Sequence, residues 1–166
     1  MNIPDITAIK NAFSGAMAYR WSPDALKVTI PDLPGMEGYL FEQGEFKVFD
    51  GDFVSLHTDF KVGMIVIWYQ NVPVWIMHRW YRYADAALPF VEKCLRSANI
   101  EEGQTFHGSR GRPEVPNGRY TYRNHGTTDF TCFWGSDEVE EVVGQHKKIV
   151  GTCRYDGRLM IGRLEA

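Results

Sequence analysis

A histidine and an aspartate stand two positions apart in the stretch LHTDF, as His57 and Asp59. On a β-strand such residues point to the same face, as the His-x-Asp pair of non-haem iron oxygenases does. A third ligand would have to come from His107 or His125. Because these oxygenases need a jelly roll and short His-x-Asp matches are common by chance, we expect solvated turn residues and no metal or other cofactor.

Ser109 and the three cysteines are the other side chains that could be reactive, and neither lies in a pattern that such a role requires. In the stretch HGSRG a glycine directly precedes Ser109, so the G-x-S-x-G pattern of a nucleophile elbow is absent. Cys94, Cys132 and Cys153 form no C-x-x-C pair, which disfavours a disulfide framework and a structural zinc site. Arg154 follows Cys153, but neighbours on a strand point to opposite faces. We therefore expect free, buried thiols and assign no catalytic residue.

The strongest polar signal is the stretch between Gly103 and His125, where four arginines stand against one glutamate. These residues are Arg110, Arg112, Arg119, Arg123 and Glu114, with His107 near the start of the stretch. A glycine-rich backbone with arginines can bind a phosphate or carboxylate through amide groups and planar guanidinium groups. The alternative is a loop that is basic only because it is solvated, neutralised by the acidic run DEVEE at 137–141.

The stretch PVWIMHRWYRY, residues 73–83, concentrates aromatic and basic side chains on one predicted strand. Alternation divides them between two faces: Val74, Ile76, His78 and Trp80 on one, and Trp75, Met77, Arg79 and Tyr81 on the other. A strand with bulky groups on both faces is covered on both. The cover is either protein core, with arginine stems lying over aromatic rings, or a ligand pocket or interface.

The composition is that of an ordinary globular chain. Its 166 residues, 44% of them hydrophobic, are enough for one domain with a core, and 14% aromatic content with sixteen glycines favours a sheet-rich fold. The formal net charge of −3 argues against nucleic acid as a partner. Because no secretory signal pattern and no apolar run long enough to cross a membrane is present, we expect a cytoplasmic protein without a membrane partner.

Two segments with the same order of elements follow one another along the chain. In the first, apolar residues at helical spacing predict a helix over about 4–18, and a proline- and glycine-rich connector follows at 21–38. Four strands are predicted next: GYLFEQ, GEFKVFDGD, GMIVIWYQ and PVWIMHRWY. The last two flank a short turn at Gln70 and Asn71, which predicts a hairpin.

The second segment repeats this order. Helical spacing predicts a helix over 85–98 with Pro89 in its first turn, and a second glycine- and proline-rich loop follows at 101–118. Five strands are predicted after it: RYTYRN, TDFTCFWG, EVEEVV, KIVGTCRY and RLMIGR.

The two segments also match residue by residue in places. Gly44, Phe46, Val48 and Asp50 match Gly118, Tyr120, Tyr122 and Asn124, and Val74, Trp75, Arg79 and Trp80 match Ile149, Val150, Arg154 and Tyr155. The shared order indicates an internal duplication. We therefore predict one α+β domain spanning 1–166, in which two antiparallel β-sheet halves, approximately 1–83 and 84–166, each carry one helix.

The run from GEFKVFDGDF through PVWIMHRWYRY and FVEKCLRSA to FHGSRGRP and NGRYTYRNHGTTDFTCFWGSDEVEEV resembles an uncharacterised bacterial domain family. That family has a Pro-Val-Trp-x-Met hairpin, an Arg/Gly-rich loop and a Phe-x-Gly strand, and some members carry it behind a Cro-type helix-turn-helix. The likeness covers roughly residues 36–162 and rests on aromatic and glycine positions. Tyr81 and Arg82 stand where a glycine is usual, and the N-terminal region has room for only one helix. The resemblance implies a stand-alone sensory module and carries over no catalytic residue.

These observations favour a non-enzymatic ligand-binding or sensory module, with an aromatic-walled cleft between the two halves for a small anionic or aromatic ligand. The candidate site residues are Trp75, Arg79, Tyr81, His107, Arg110, Arg112 and Arg154. Arg79 and Arg154 would lie near the pseudo-symmetry axis with an anion between them; alternatively each is paired with an acidic residue such as Asp50 or Glu140. A small enzyme, metal-dependent or acid–base, is the alternative function, and a homodimer is one assembly that this architecture allows.

Overall fold

The computed structural model describes residues 3–55, 57–101 and 106–161. Within them the chain forms two α-helices and nine β-strands: α1 (Ile6–Arg20), β1 (Lys27–Thr29), β2 (Met36–Gln43), β3 (Phe46–Phe53), β4 (Lys61–Tyr69), β5 (Val72–Tyr83), α2 (Leu88–Arg96), β6 (Glu114–Pro116), β7 (Tyr120–Gly126), β8 (Cys132–Val143) and β9 (His146–Leu159). A short 3₁₀ turn, Asp85–Ala87, precedes α2, and a π-helical turn, Ser97–Glu101, follows it.

The strands form one antiparallel sheet in the order β1-β2-β3-β4-β5-β9-β8-β7-β6. Strand β5 joins the two halves, because it pairs with β9 from Trp75 opposite Leu159 to Tyr83 opposite Gly151. The predicted α+β class is confirmed. The two predicted antiparallel halves are joined by the β5–β9 pairing into one continuous sheet, and the internal duplication stays a prediction.

Helix α1 begins at Ile6 rather than near residue 4 because Asp5 caps it. The Asp5 carboxylate accepts a 2.7 Å hydrogen bond from the N–H of Ala8. The helix ends at Arg20, beyond the predicted end. Its buried face consists of Ile9, Ala12, Phe13, Ala16 and Met17. This packing holds Arg20 over strands β2 and β3.

The predicted second helix is present, but only its middle part, Leu88–Arg96, is α-helical. Pro89 lies in its first turn, as predicted, where a missing N–H breaks no helical hydrogen bond. Phe90, Val91 and Cys94 are buried on the side that faces the sheet. The helix therefore covers the inner face of the sheet beside α1.

The β4–β5 hairpin turns at Gln70 and Asn71 as predicted, with φ angles of 50° and 64°. The five strands predicted in the second half correspond to three strands of the structure, β7, β8 and β9. EVEEVV and the end of TDFTCFWG lie together in β8, and KIVGTCRY and the start of RLMIGR lie together in β9. A further short strand, β6, lies where only a loop was predicted.

Glycines explain why these predicted strands merge. A Cβ at Gly135 would lie 2.4 Å from the hydroxyl oxygen of Tyr155, and a Cβ at Gly157 would lie 2.3 Å from the ring of Phe133. Each glycine makes room for a buried ring rather than for a turn, so the strand continues through it.

The core lies between the two helices and one face of the sheet, with Trp75 near its centre. The indole is fully buried, stacks on Phe130 and Phe133 at centroid distances of 5.0 and 5.5 Å, and donates from Nε1 to the carbonyl of Phe130. The ring of Phe13, from α1, lies 5.5 Å away. Trp75 is therefore a core residue, because alternation along β5 turns it inward.

The outer face of the sheet, turned away from this core, carries exposed aromatic residues. Trp80 on β5 and Trp134 on β8 have side chains that are 42% and 66% exposed. Arg154 stands directly opposite Trp80 in the β5–β9 pair and is also exposed.

The inner face is apolar at one end and charged at the other. Asp50 and Asp52 are the inward residues of the second half of β3, and Arg79 points inward from β5. Asp52, Gly63 and Arg79 lie in one row across three strands. The glycine leaves the space that the charged groups on either side occupy.

Gly63→Ala tests how tightly this row is filled. A Cβ at position 63 would lie 2.0 Å from Oδ1 of Asp52 and 2.6 Å from Nε of Arg79, so both groups would have to move. We expect the free energy of unfolding, measured by urea denaturation, to fall by about 2 kcal/mol. Ser136→Ala, on the outer face, should stay within about 0.5 kcal/mol of the wild type. Equal stability of the two variants would contradict this packing.

Candidate functional site

A cleft of about 350 Å³ opens on the charged part of the inner face, where the end of α1 and one side of α2 lie over the sheet. Arg20 and Trp21 line it from the end of α1, and Leu88 and Glu92 line it from α2. Arg110, in the loop before β6, reaches it from the second half of the chain. The cleft therefore lies where the two halves meet.

Asp50 is the centre of the ion-pair network at the floor of the cleft. Its carboxylate accepts a 2.7 Å hydrogen bond from Nη2 of Arg79 and another hydrogen bond from Nη1 of Arg20. Arg79 also donates from Nε to Asp52 at 3.0 Å. Asp50 and Arg79 are 3% and 4% exposed, so their charges are compensated by each other rather than by water.

This network keeps its members in one protonation state. Burial by itself would raise the pKa of Asp50, but the charges of Arg20 and Arg79 outweigh it and hold that pKa below its ordinary value of 3.8. Burial would lower the pKa of Arg79, yet Asp50 and Asp52 raise it instead. Burial and the charge of Asp52 raise the pKa of Tyr81, which keeps its hydroxyl protonated. None of these shifts moves a pKa toward neutral pH.

A second buried network fixes the loop that carries Arg110. The guanidinium donates from Nε to Asp137 and from Nη2 to the hydroxyl of Tyr83, both at 2.6 Å. Tyr83 also donates a hydrogen bond to Asp137, and Tyr122 donates one of 3.0 Å to the same carboxylate. The N–H of Gly111 in turn donates to the Tyr122 hydroxyl at 2.9 Å. The charge of Arg110 is therefore neutralised by Asp137.

Three of the seven predicted site residues line the cleft: Arg79, Tyr81 and Arg110. Trp75 lies in the core instead. His107 is half-buried in the loop that carries Arg110, and its carbonyl accepts a 3.1 Å hydrogen bond from the side chain of Asn124. Residues 102–105, at the start of the predicted anion-binding stretch, lie outside the described residues.

The other two predicted site residues lie elsewhere. Arg112 is exposed and lines a separate groove between α2 and β6. Arg154 is on the outer face, because Arg79 stands opposite Tyr155 and only the next residue, Trp80, stands opposite Arg154. This corrects the expected approach of Arg79 to Arg154. The alternative that pairs Arg79 with Asp50 is what the structure has.

The sequence reasoning missed several residues of the cleft. Arg20, Trp21, Tyr39, Asp52 and Lys61 line it without having been predicted. Asp52 had a usable signal: it stands two positions after Asp50 on a strand whose inward residues are otherwise apolar. Charged residues at inward positions indicate either a buried ion pair or a polar site. Arg20 and Trp21 had no such signal, because a helix end is usually solvated.

His57 and Asp59 do not form a metal site with a third ligand in the described part of the chain. Both are exposed in the loop between β3 and β4, and Asp59 forms an ion pair with Arg82, its Oδ2 lying 3.2 Å from Nε. No group of three histidine, cysteine or carboxylate side chains among the described residues could hold a metal ion. The expectation of a protein without metal stays a prediction.

The cysteines differ in exposure. Cys94 and Cys153 are free and buried, and burial raises the pKa of each thiol to about 11. Cys132 is free but exposed, which corrects the expectation of three buried thiols. The buried thiols are protonated at neutral pH and are therefore poor nucleophiles.

Comparison with models of known protein families, with curated proteins and with solved structures gives no match.

Asp50→Asn tests whether the floor of the cleft depends on this carboxylate. The substitution removes the charge that Arg20 and Arg79 share, and an uncompensated buried cation costs about 3–5 kcal/mol. We expect the free energy of unfolding at neutral pH to fall by about 3 kcal/mol in urea denaturation. Glu42→Gln, which removes an exposed carboxylate 3.0 Å from Lys47, should change it by less than about 1 kcal/mol.

The stability of the wild type and that of Asp50→Asn should also depend differently on pH. The pKa of Asp50 is lower in the folded than in the unfolded protein, so its stabilisation is present above the ordinary pKa of 3.8 and is lost as the pH falls through the folded value. The stability difference between the wild type and Asp50→Asn should therefore shrink below about pH 4. If this stability difference stayed constant from neutral pH to below about pH 4, the lowered pKa of Asp50 would be contradicted.

Proposed function

We propose that this chain is a non-enzymatic binding or sensory module that takes a small ligand in the cleft between α1, α2 and the sheet. The observation that carries the proposal is that the floor of the cleft is charged and is held by two buried networks. Filling such a space with apolar side chains would be the simpler way to stabilise a fold. The cleft of about 350 Å³ is instead large enough for a small molecule, and its fixed polar groups could set the orientation of that molecule.

The protonation states support binding rather than catalysis. An acid–base catalyst works best with a pKa near the operating pH. Asp50 is shifted below its ordinary pKa, whereas Tyr81 and Tyr83 are shifted above theirs by burial and by neighbouring carboxylates. The alternative of a small acid–base enzyme gains no support from these groups, and the metal-dependent alternative gains none from His57 and Asp59.

An internal duplication is part of the proposal, and the strand order supports it. Strands β2 to β5 and β6 to β9 form two meanders of four strands that meet at the β5–β9 pair. Strands β3 and β7 begin at residues 46 and 120, and β5 and β9 at 72 and 146, a spacing of 74 in both cases. On this spacing the counterpart of Arg79 is Cys153 rather than Arg154, with which the sequence comparison matched it. The charged cleft would then have arisen in one half only, after duplication.

The partner and the location are proposals as well. A homodimer is supported by the exposed Trp80 and Trp134 on the outer face, because exposed tryptophans close together are typical of interfaces. No described helix has the length and apolar character needed to cross a membrane. We also propose a cytoplasmic location and membership of the uncharacterised bacterial family whose motifs the sequence resembles.

A thermal-shift screen against a broad metabolite library tests ligand binding directly. A ligand at one hundred times its Kd stabilises the folded protein by about 2.7 kcal/mol, which corresponds to a rise in Tm of several degrees. Leu88→Trp places a larger side chain in the cleft wall, so we expect it to abolish the shift. Val142→Trp, on an exposed position of β8, is the matched control and should respond like the wild type.

The proposal would be contradicted in two ways. One is a library in which no compound raises the Tm of the wild type. The other is a compound that stabilises Leu88→Trp as much as it stabilises the wild type, since binding would then take place outside the cleft. Circular dichroism of both tryptophan variants establishes that they fold before binding is compared.

A further inference from the structure

Most charged groups around the cleft already have a partner. Asp50, Asp52 and Arg79 bind one another, and Lys27 lies 3.1 Å from Glu37. The remaining pair of ionic side chains in the lining is Lys61 and Glu92, and neither has an ionic partner among the described residues. Glu92 is exposed on α2, where water solvates its charge, whereas Lys61 is half-buried on β4.

Arg20 has hydrogen-bonding capacity left over. Its guanidinium makes one hydrogen bond among the described residues, from Nη1 to Asp50, although a guanidinium carries five N–H donors. The group lies 5.3 Å from the ring centroid of Trp21 and 5.6 Å from that of Tyr39, which holds it at the cleft wall. Its side chain is 22% exposed, so the free donors are accessible from the cleft.

Lys61 and Arg20 together leave the cleft with surplus donors, so an occupant that satisfies them must supply acceptors. Trp21 lines the same cleft, but its indole Nε1 is buried in the wall and is not accessible from the cleft.

We infer that the ligand of the cleft is a small organic carboxylate with an aromatic body, held by Lys61 and Arg20; this rests on the proposed function. A carboxylate carries two acceptor oxygens in one plane, which suits an arginine with donors to spare. Lys61 stands directly opposite Tyr81 in the β4–β5 pair, so an aromatic ring next to Tyr81 keeps its carboxylate near the ammonium group. A cleft of about 350 Å³ has room for one such ring system.

Matched pairs of probes test the inference, namely benzoate against benzamide and indole-3-acetate against indole-3-acetamide. Each pair has the same shape and differs in charge. We expect calorimetry or ligand-observed NMR to detect the carboxylates and to find the amides at least about tenfold weaker, as expected when a charged contact is lost. Inorganic phosphate, which lacks the aromatic body, should bind more weakly than benzoate.

Conservative variants assign the contacts without disturbing the ion-pair network. Lys61→Gln should weaken benzoate binding about tenfold, because the ammonium group is lost, without changing the Kd of the amides. Lys47→Gln, in an exposed pair with Glu42 away from the cleft, should leave benzoate binding unchanged. Thermal unfolding of each variant confirms that it is folded.

The outcomes separate this inference from the proposed function. If neutral or cationic compounds bind and are lost in Leu88→Trp, the cleft is a ligand site but the assignment of a carboxylate is wrong. Equal affinity for benzoate and benzamide, no binding of either carboxylate, or an unchanged benzoate Kd in Lys61→Gln would each overturn the inference. Preferential binding of phosphate would overturn the aromatic part of it.

Discussion

The buried ion pair between Asp50 and Arg79 constrains the structure around it. Removing these two charges from water costs several kcal/mol for each, so every neighbouring group has to compensate them. Arg20 and Asp52 supply further hydrogen bonds, and Gly63 leaves the space in which the guanidinium lies. This end of the inner face therefore cannot be packed like the rest of the core, and a cleft remains above it.

The two halves of the sheet use charge differently. In the first half, the network on β3 and β5 faces the cleft and leaves donors accessible on Arg20. In the second half, Asp137 is fully enclosed by Arg110, Tyr83 and Tyr122, and its network anchors a loop. The second network neutralises the charge of Arg110 and occupies two of its donors. Arg110 therefore lines the cleft in a fixed position. The accessible donors of Arg20 thus lie on the first-half side of the β5–β9 junction.

Part of this architecture follows from local patterns. The α+β class, the position of Pro89 in a first helical turn, and the hairpin at Gln70 and Asn71 were predictable, because helical spacing, strand alternation and turn chemistry act over a few residues. The merged strands β8 and β9 were not predictable, because Gly135 and Gly157 accommodate rings from neighbouring strands. A glycine that serves packing and a glycine that serves a turn look alike in a sequence.

The sequence by itself determined which side chains of β5 share a face, and hence that Arg79 and Tyr81 lie together. It could not determine which face Trp75 covers, which residue of β9 stands opposite Arg79, or that Arg20 reaches Asp50 from thirty positions away. Those relations are set by the register between distant strands and by the docking of α1, both of which depend on packing of the whole core. Tertiary structure therefore decided the location of the cleft, because its lining comes from residues far apart in the chain and is assembled only when their elements pack together.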